Sequence, residues 1–404
     1  MGKHKQKILE FISERIRLNI ASLNFLLVML LSLMIYLLTK GPHVAQNHFV
    51  FLAEAFLKGK LGILSSSTGL SELVPYQGNY YVVYPPMPAV LLLPFVAVFG
   101  TSFDQGVLSI IIGSLAVGTT WLMLKKIGVN GNKAFWLTAL FGFGTCFWFI
   151  TVIGSSWYIA HVSAVFFLTC AIIEALGNKR NFLIGFLLGC SYLSRLPTVL
   201  SLPFFLLLIY DENKEWNVRL KKVFSLFLGL VIPAGLNALY NYARYGTFFD
   251  VGYFMIPGVL EEPWYSRGIF HWSYIPRHIY AIFFQGPILL YEPPYFKPNW
   301  MGLGLFFTTP AFLYIFKGSW NKLSKFAGIA VLSILPPIVT HGTVGFTQFG
   351  YRFSLDFTPF LIMLTAKGMR EKLGWSEKSL IILSMLINLW GVISIVKFGF
   401  VGYN

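Results

Sequence analysis

At 404 residues, 56% hydrophobic, 18% aromatic and only 12% charged, with a mean hydropathy of +0.67, the chain has too little polar surface for a water-soluble globule and reads as an integral membrane protein. The formal net charge of +15 does not mark a nucleic-acid binder, because most of the cations collect in short loops between apolar runs, at 3–17, 125–133, 179–180, 214–222, 317–325 and 367–378. Loops rich in Lys and Arg stay on the cytoplasmic side, so the charge is a topology signal.

In chain order, residues 1–18 form a basic cytoplasmic segment and residues 19–39 a first span, long enough to cross a ~30 Å hydrocarbon core. That run exceeds the roughly 7–15-residue core of a secretory signal, and no small-x-small cleavage site follows, so it is expected to stay as an anchor. Residues 40–105 make a long first outer loop. Within it, PHVAQNHFVFLAEAFLKGKLGI (42–63) is amphipathic and expected to lie along the outer membrane surface, with Phe49, Leu52, Phe56 and Leu57 on the apolar side. Residues 86–100, PMPAVLLLPFVAVFG, are apolar but short and broken by Pro86, Pro88 and Pro94. Counting them as a span would place Lys125 and Lys126 outside, so an interfacial or re-entrant helix is expected.

Further spans are expected over 106–124, 134–154, 157–176, 182–194, 196–210, 223–242, 301–316, 326–340, 354–365 and 379–396, about eleven in all. The pair 182–194 and 196–210 starts and ends beside basic clusters, which makes it a hairpin turning at Arg195-Leu196-Pro197. Gly185 and Gly189 on it suit close helix packing. Residues 245–300 form a second outer loop whose many aromatic rings read as an interfacial belt or as sugar-stacking surfaces; 341–353 form a short third. The expected architecture is one all-α domain over 1–404, a polytopic transmembrane bundle in the cell membrane with its amino terminus inside and its carboxyl terminus outside.

Cys146, Cys170 and Cys190 fall inside expected spans, unpaired in sequence, and read as small core residues. The chain has no phosphate-binding glycine loop, nucleophile elbow or zinc pattern, so no cofactor or metal is expected. Most carboxylates off the cytoplasmic face sit on the outer loops: Glu54, Glu72, Asp104, Asp250, Glu261, Glu262 and Glu292, with Asp356 at a span entrance. The spans hold almost none, whereas an ion-driven transporter carries ionisable groups at mid-membrane depth. Chemistry is therefore expected at the outer surface.

Three stretches carry a family resemblance. The first outer loop, with HFVFLAEAFLKGKLGI and then YQGNYYVVYPPMPAVLLLPFVAVFG, resembles the start of the polytopic GT-C glycosyltransferases, in particular the protein O-mannosyltransferase and lipid A aminoarabinose transferase group. GFLLGCSYLSRLPTVLSLPFFLLL is similar to their short hairpin with a basic residue before proline, and QFGYRFSLDFTPFLIML to their late arginine-aromatic stretch. The resemblance touches the beginning, middle and end of the chain in the family's order.

It implies an enzyme that takes a sugar from a polyprenyl-phosphate carrier and passes it to a glycan, lipid or protein acceptor at the outer face, with membrane lipids as surroundings. Such a reaction needs a base for the acceptor hydroxyl and cations for the phosphate leaving group. The family's early acidic pair falls on Gln46 and Asn47, with His48 next. Glu54, about two helical turns on from Asn47, is the nearest carboxylate; it stands either as the base or as the partner of Lys58 at i,i+4. His48 is the other candidate base. Arg352 and Arg195 are the candidate phosphate ligands, because guanidinium recognises phosphate bidentately. The alternative for Arg352 is an i,i+4 ion pair with Asp356. Two other functions stay open: a transporter or flippase for a lipid-linked glycan, and a non-catalytic relative that binds polyprenyl phosphate.

Overall fold

A computed structural model of the chain describes residues 23–42, 46–63 and 69–400; the expected basic segment 1–18 and the first residues of the expected anchor lie outside them. The chain is mostly helical. Helices α1 (Leu23–Leu38), α2 (His48–Leu57) and α3 (Met87–Phe99) come first, with a hairpin of β1 (Leu73–Tyr76) and β2 (Asn79–Val82) between the last two. Then follow α4 (Gln105–Lys126), α5 (Gly131–Phe143), α6 (Phe147–Ile153), α7 (Ser156–Leu176), α8 (Asn181–Tyr192), α9 (Leu202–Glu212) and α10 (Trp216–Tyr245). The last third holds α11 (Ile275–Phe283), β3 (Ile288–Leu289), β4 (Phe296–Lys297), β5 (Met301–Leu303), α12 (Leu305–Thr308), α13 (Lys322–Val339), β6 (Gln348–Gly350), α14 (Thr358–Gly368) and α15 (Trp375–Val392).

Among the described residues, five helices are long and apolar enough to cross a membrane: α4, α7, α10, α13 and α15 with its π-turn extension to Lys397. The pair α5 and α6, bent by 52°, makes a sixth if taken as one crossing. The larger count expected from hydropathy rests on shorter pieces. Expected span 301–316 opens as strand β5, which pairs in parallel with β6, and continues as α12 and a 3-10 stretch over Pro310–Lys317. Expected span 354–365 starts in a 3-10 turn, Arg352–Asp356, and becomes helical only at Thr358. Both departures sit at prolines, Pro310 and Pro359, in the first turn of the following helical piece, where the missing N–H and fixed φ start a helix rather than continue one.

Glycine brings two helices of the bundle into backbone contact. A Cβ on Gly185 of α8 would lie 1.9 Å from the Leu226 carbonyl oxygen of α10, and one on Gly229 of α10 would lie 1.9 Å from the Phe182 carbonyl oxygen of α8. The two backbones touch through reciprocal glycines, which is how helices gain packing where burial from lipid adds little. Gly189 meets the Pro233 ring of α10 in the same way, at 2.6 Å.

The bundle has two unlike ends. One is laced by ion pairs of the basic clusters: Lys179 with Glu212 at 2.9 Å, Lys322 with Asp211 at 2.7 Å and Lys133 with Glu371 at 3.1 Å. The other carries the three small sheets and the long loops. There α2 is fastened to α7: the Gln46 carbonyl accepts from the Ser156 backbone N–H at 3.0 Å and from its hydroxyl at 2.9 Å. The apolar face of α2 is turned into the protein, with Phe49 and Leu52 fully buried.

Substituting Gly185 by Val is expected to destabilise the fold by about 1–3 kcal/mol, since the backbones must separate to admit the side chain. Thermal unfolding in detergent of Gly185→Val against a lipid-facing control, Leu236→Val, reads it; equal melting temperatures would show that the glycine contact is dispensable.

A candidate active site at the loop-bearing end

The centre of this end is Asp356, whose side chain is 0% exposed. Its Oδ1 accepts from His161 Nδ1 at 3.0 Å and Arg195 Nε at 3.2 Å, and its Oδ2 from Arg195 Nη2 at 2.9 Å. The three residues come from separate elements: His161 lies on α7 just past its first turn, Asp356 closes the 3-10 turn before α14, and Arg195 is the extended residue after α8. Arg195 is held there because Pro197 opens a new 3-10 helix, Leu196–Ser201. The Thr198 hydroxyl donates back to the Arg195 carbonyl at 2.8 Å. A buried carboxylate is tolerated only when its lone pairs are filled, as here by a two-point guanidinium contact and an imidazole N–H.

The i,i+4 pairing of Arg352 with Asp356 does not form. A 3-10 turn has about three residues per turn, so residue i+4 has rotated off the face of residue i. Arg352 instead donates from Nη1 to the Phe346 carbonyl at 2.9 Å and rests over the rings of Tyr158 and Phe353, 5.6 and 5.3 Å from their centroids. Its Nε is buried without a partner. Arg195 lies over the same Phe353 ring, at 5.5 Å. Two guanidiniums therefore share one aromatic floor with a single carboxylate paired to one of them, which leaves one positive charge in surplus.

Glu72, which sequence reasoning placed only among the outer carboxylates, is a second acid held inward at this end. Its neighbour Ser71 is gripped from two sides: Gln46 Oε1 accepts from its N–H at 3.1 Å and its hydroxyl at 3.0 Å, and its carbonyl accepts from His48 Nε2 at 2.6 Å. Between that grip and β1, Glu72 takes φ = 57°, a left-handed conformation costing a non-glycine residue about 1–3 kcal/mol. The side chain is thereby turned inward, where its Oε2 accepts from Trp157 Nε1 at 3.0 Å and from the Tyr84 hydroxyl. Tyr253 feels both Glu72 and Arg352: burial pushes its phenol up, the charges of Tyr265 and Glu72 add to this, and Arg352 opposes it. Tyr253 and Tyr265 share a hydroxyl contact of 2.9 Å. Burial, then the charge of Glu72, raises the carboxyl of Glu262 on the neighbouring loop.

His341 sits in a box of Tyr253, Tyr265, Phe270 and Phe353, with ring centroids 5.5 to 6.0 Å away. Burial holds it down at about 4, against a hydrogen bond to the Thr343 carbonyl and with help from nearby His278, Arg195 and Arg352. Below it, His278 donates from Nε2 to the His341 carbonyl at 2.8 Å, which leaves Nδ1 to accept from Tyr351 at 2.7 Å.

The other residues singled out from sequence stand apart from this group. Glu54 pairs with Lys58 at 2.8 Å on the outward face of α2. His48 is fully buried; its Nε2 donates to the Ser71 carbonyl at 2.6 Å and its Nδ1 lies 3.1 Å from the Ser156 hydroxyl. Both ring nitrogens are committed, and burial lowers its affinity for a proton, so the imidazole is a strut rather than a base. Gln46 grips Ser71, and Asn47 is the buried N-cap residue of α2. Arg195, Arg352 and Asp356 come together; Glu54, His48, Gln46 and Asn47 do not join them. The one sequence signal for Glu72 is its place before LVPYQGNYYVV, two apolar runs around a Gln-Gly turn that read as a hairpin.

No family model matches this chain, and neither a curated protein nor a solved structure does.

Removing Asp356 alone leaves Arg195 part-buried without its anion. Asp356→Ala is expected to cost about 3–5 kcal/mol, and Asp356→Ala with Arg195→Ala appreciably less. A double-mutant cycle by thermal unfolding checks it; simple additivity would mean that the pair is not coupled.

Proposed function

We propose that this chain is a GT-C-like membrane glycosyltransferase that moves a sugar from a polyprenyl-phosphate donor to a hydroxyl acceptor at the outer face of the cell membrane. The observation carrying this reading is the pair of guanidiniums, Arg195 and Arg352, gathered on the Phe353 ring with one carboxylate, Asp356, bonded to Arg195 alone; Glu72 is the acid at the same end whose charge, like that of Arg352, reaches Tyr253. The lysine-rich opposite end supports assigning the site to the outside. A phosphodiester that leaves as a monoester gains negative charge, which a preorganised guanidinium pair stabilises. Glu72 takes the proton of the acceptor hydroxyl as its oxygen bonds to the sugar's anomeric carbon; the bond from that carbon to the phosphate oxygen breaks, and the electron pair leaves with the lipid phosphate. Arg352, with Nε unpaired, is the free phosphate ligand, whereas Arg195 is half committed to Asp356.

The second reading, a non-catalytic binder of the same lipid, draws on Gln46 and Asn47 at the family's acidic positions. It keeps the arginines and gives Glu72 no proton to move.

In detergent, Arg352→Ala is expected to weaken polyprenyl-phosphate binding by roughly 1.5–3 kcal/mol, with Arg352→Lys recovering part of it. Unchanged affinity in a folded Arg352→Ala protein would remove the arginine from the site. Glu72→Gln is expected to lower transfer from a polyprenyl-phosphate sugar roughly 10²–10⁴-fold while donor binding survives. Normal transfer by that variant would move the base elsewhere, and a wild type that binds the lipid but transfers nothing would favour the second reading.

A further inference from the structure

Away from Arg195 and Arg352, the last turns of α10 carry a second polar group. Asn237, Tyr240, Asn241 and Arg244 follow the i, i+3, i+4, i+7 spacing of one helical face and cover about 10 Å of helix. All four are at most 9% exposed. Each has a buried polar atom without a partner: Asn237 Oδ1, Tyr240 OH, Asn241 Nδ2 and Arg244 Nε. Native interiors pair nearly all such atoms, so four along one face of a membrane helix mark a place for a polar group.

The charge at this place is uncompensated. Arg244 donates from Nη1 to the Val82 carbonyl and from Nη2 to Asn241 Oδ1, both at 2.6 Å, and lies 3.8 Å from the Tyr240 ring centroid and 4.6 Å from that of Tyr245. Among the described residues no carboxylate is within ion-pair distance of it. Asp250 is the acid that couples to it, through charge alone and outside ion-pair distance; burial raises that carboxyl, with Arg244 opposing. A buried guanidinium needs an anion or a dense set of acceptors, and this one has neutral acceptors and aromatic faces.

We propose that this end of α10 is a second phosphate site, separate from the one at Arg352, which takes the phosphate of an anionic membrane lipid. Arg244 Nε, Asn241 Nδ2 and the Tyr240 hydroxyl supply three donors within one and a half helical turns, a set suited to phosphate oxygens. The bilayer is the source because Leu236 and Leu239, on the adjoining face of the same helix, are 59% and 60% exposed. Phe56 of α2, half-buried, stands edge-on to Tyr240 at 5.8 Å in the same side-chain cluster. The site does not depend on the transfer reaction.

The test uses the full chain, delipidated in detergent, titrated by native mass spectrometry with short-chain phosphatidylglycerol, with the matching diacylglycerol and with inorganic phosphate. Phosphatidylglycerol is expected to bind in preference to diacylglycerol, with affinity reduced roughly tenfold in Tyr240→Phe and in Arg244→Lys. Tyr240→Phe removes an unpaired hydroxyl, so a purely structural role predicts unaltered binding and equal or higher melting temperature. Unaltered binding in Tyr240→Phe, or equal binding of diacylglycerol, overturns the proposal. Inorganic phosphate that binds as tightly as phosphatidylglycerol, with the same dependence on Tyr240, upholds the phosphate chemistry and overturns the bilayer as its source.

Discussion

The loop-bearing end is organised around one buried carboxylate. Asp356 joins α7, the turn after α8 and the entry to α14 through contacts of 2.9 to 3.2 Å, and none of those three elements is adjacent to another in sequence except α7 and α8. The anion is what permits Arg195 to stand at the edge of an apolar bundle, and the arginine is what permits the anion. Because the contact with the guanidinium is two-point, it fixes direction as well as distance, and the Phe353 ring that follows Arg352 is left with two cations at 5.3 and 5.5 Å from its centroid.

Around that pair the end is built from neutral imidazoles. His48 and His278 are buried and His341 partly so, each with a ring nitrogen tied to a backbone carbonyl, and desolvation keeps each below its ordinary proton affinity. They serve as rigid crosspieces: His48 between Ser71 and Ser156, His278 between His341 and Tyr351. Fixed charge is thereby concentrated on Glu72, Asp356 and the two arginines, in surroundings where few other groups screen it.

Hydropathy made the membrane class legible, and the basic clusters marked one end of the bundle, because both depend on composition and spacing alone. The glycines at 185 and 189 were readable as packing sites for the same reason. Arg195 and Arg352 were readable as cations out of place in apolar surroundings, but their partners were not. Pairing Arg352 with Asp356 assumed an α-helical period, and the segment turned out to be 3-10; pairing Asp356 with Arg195 spans 161 residues and has no local trace. Glu54 drew notice over Glu72 because it is the carboxylate nearest in sequence to Gln46 and Asn47. Glu72 owes its direction to a left-handed backbone set by a grip on Ser71 from Gln46 and His48, a tertiary cause that no window of sequence contains.

The 52° break between α5 and α6 opens the helix ladder inside the bundle, where an unpaired carbonyl is costly. It is closed from outside: the Thr309 hydroxyl donates to the Gly144 carbonyl at 2.9 Å, and the Thr145 hydroxyl donates to Phe141 at 2.7 Å while accepting from the Phe147 N–H. A bend clamped in this way is a fixed elbow rather than a hinge. It carries force instead of absorbing it, so a push on the segment after β5 reaches α6, and through the Ser109 contact to Thr151 at 2.9 Å it reaches α4. Compliance at this end then belongs to the outer loop elements, and the helical frame beneath them behaves as a stiff base.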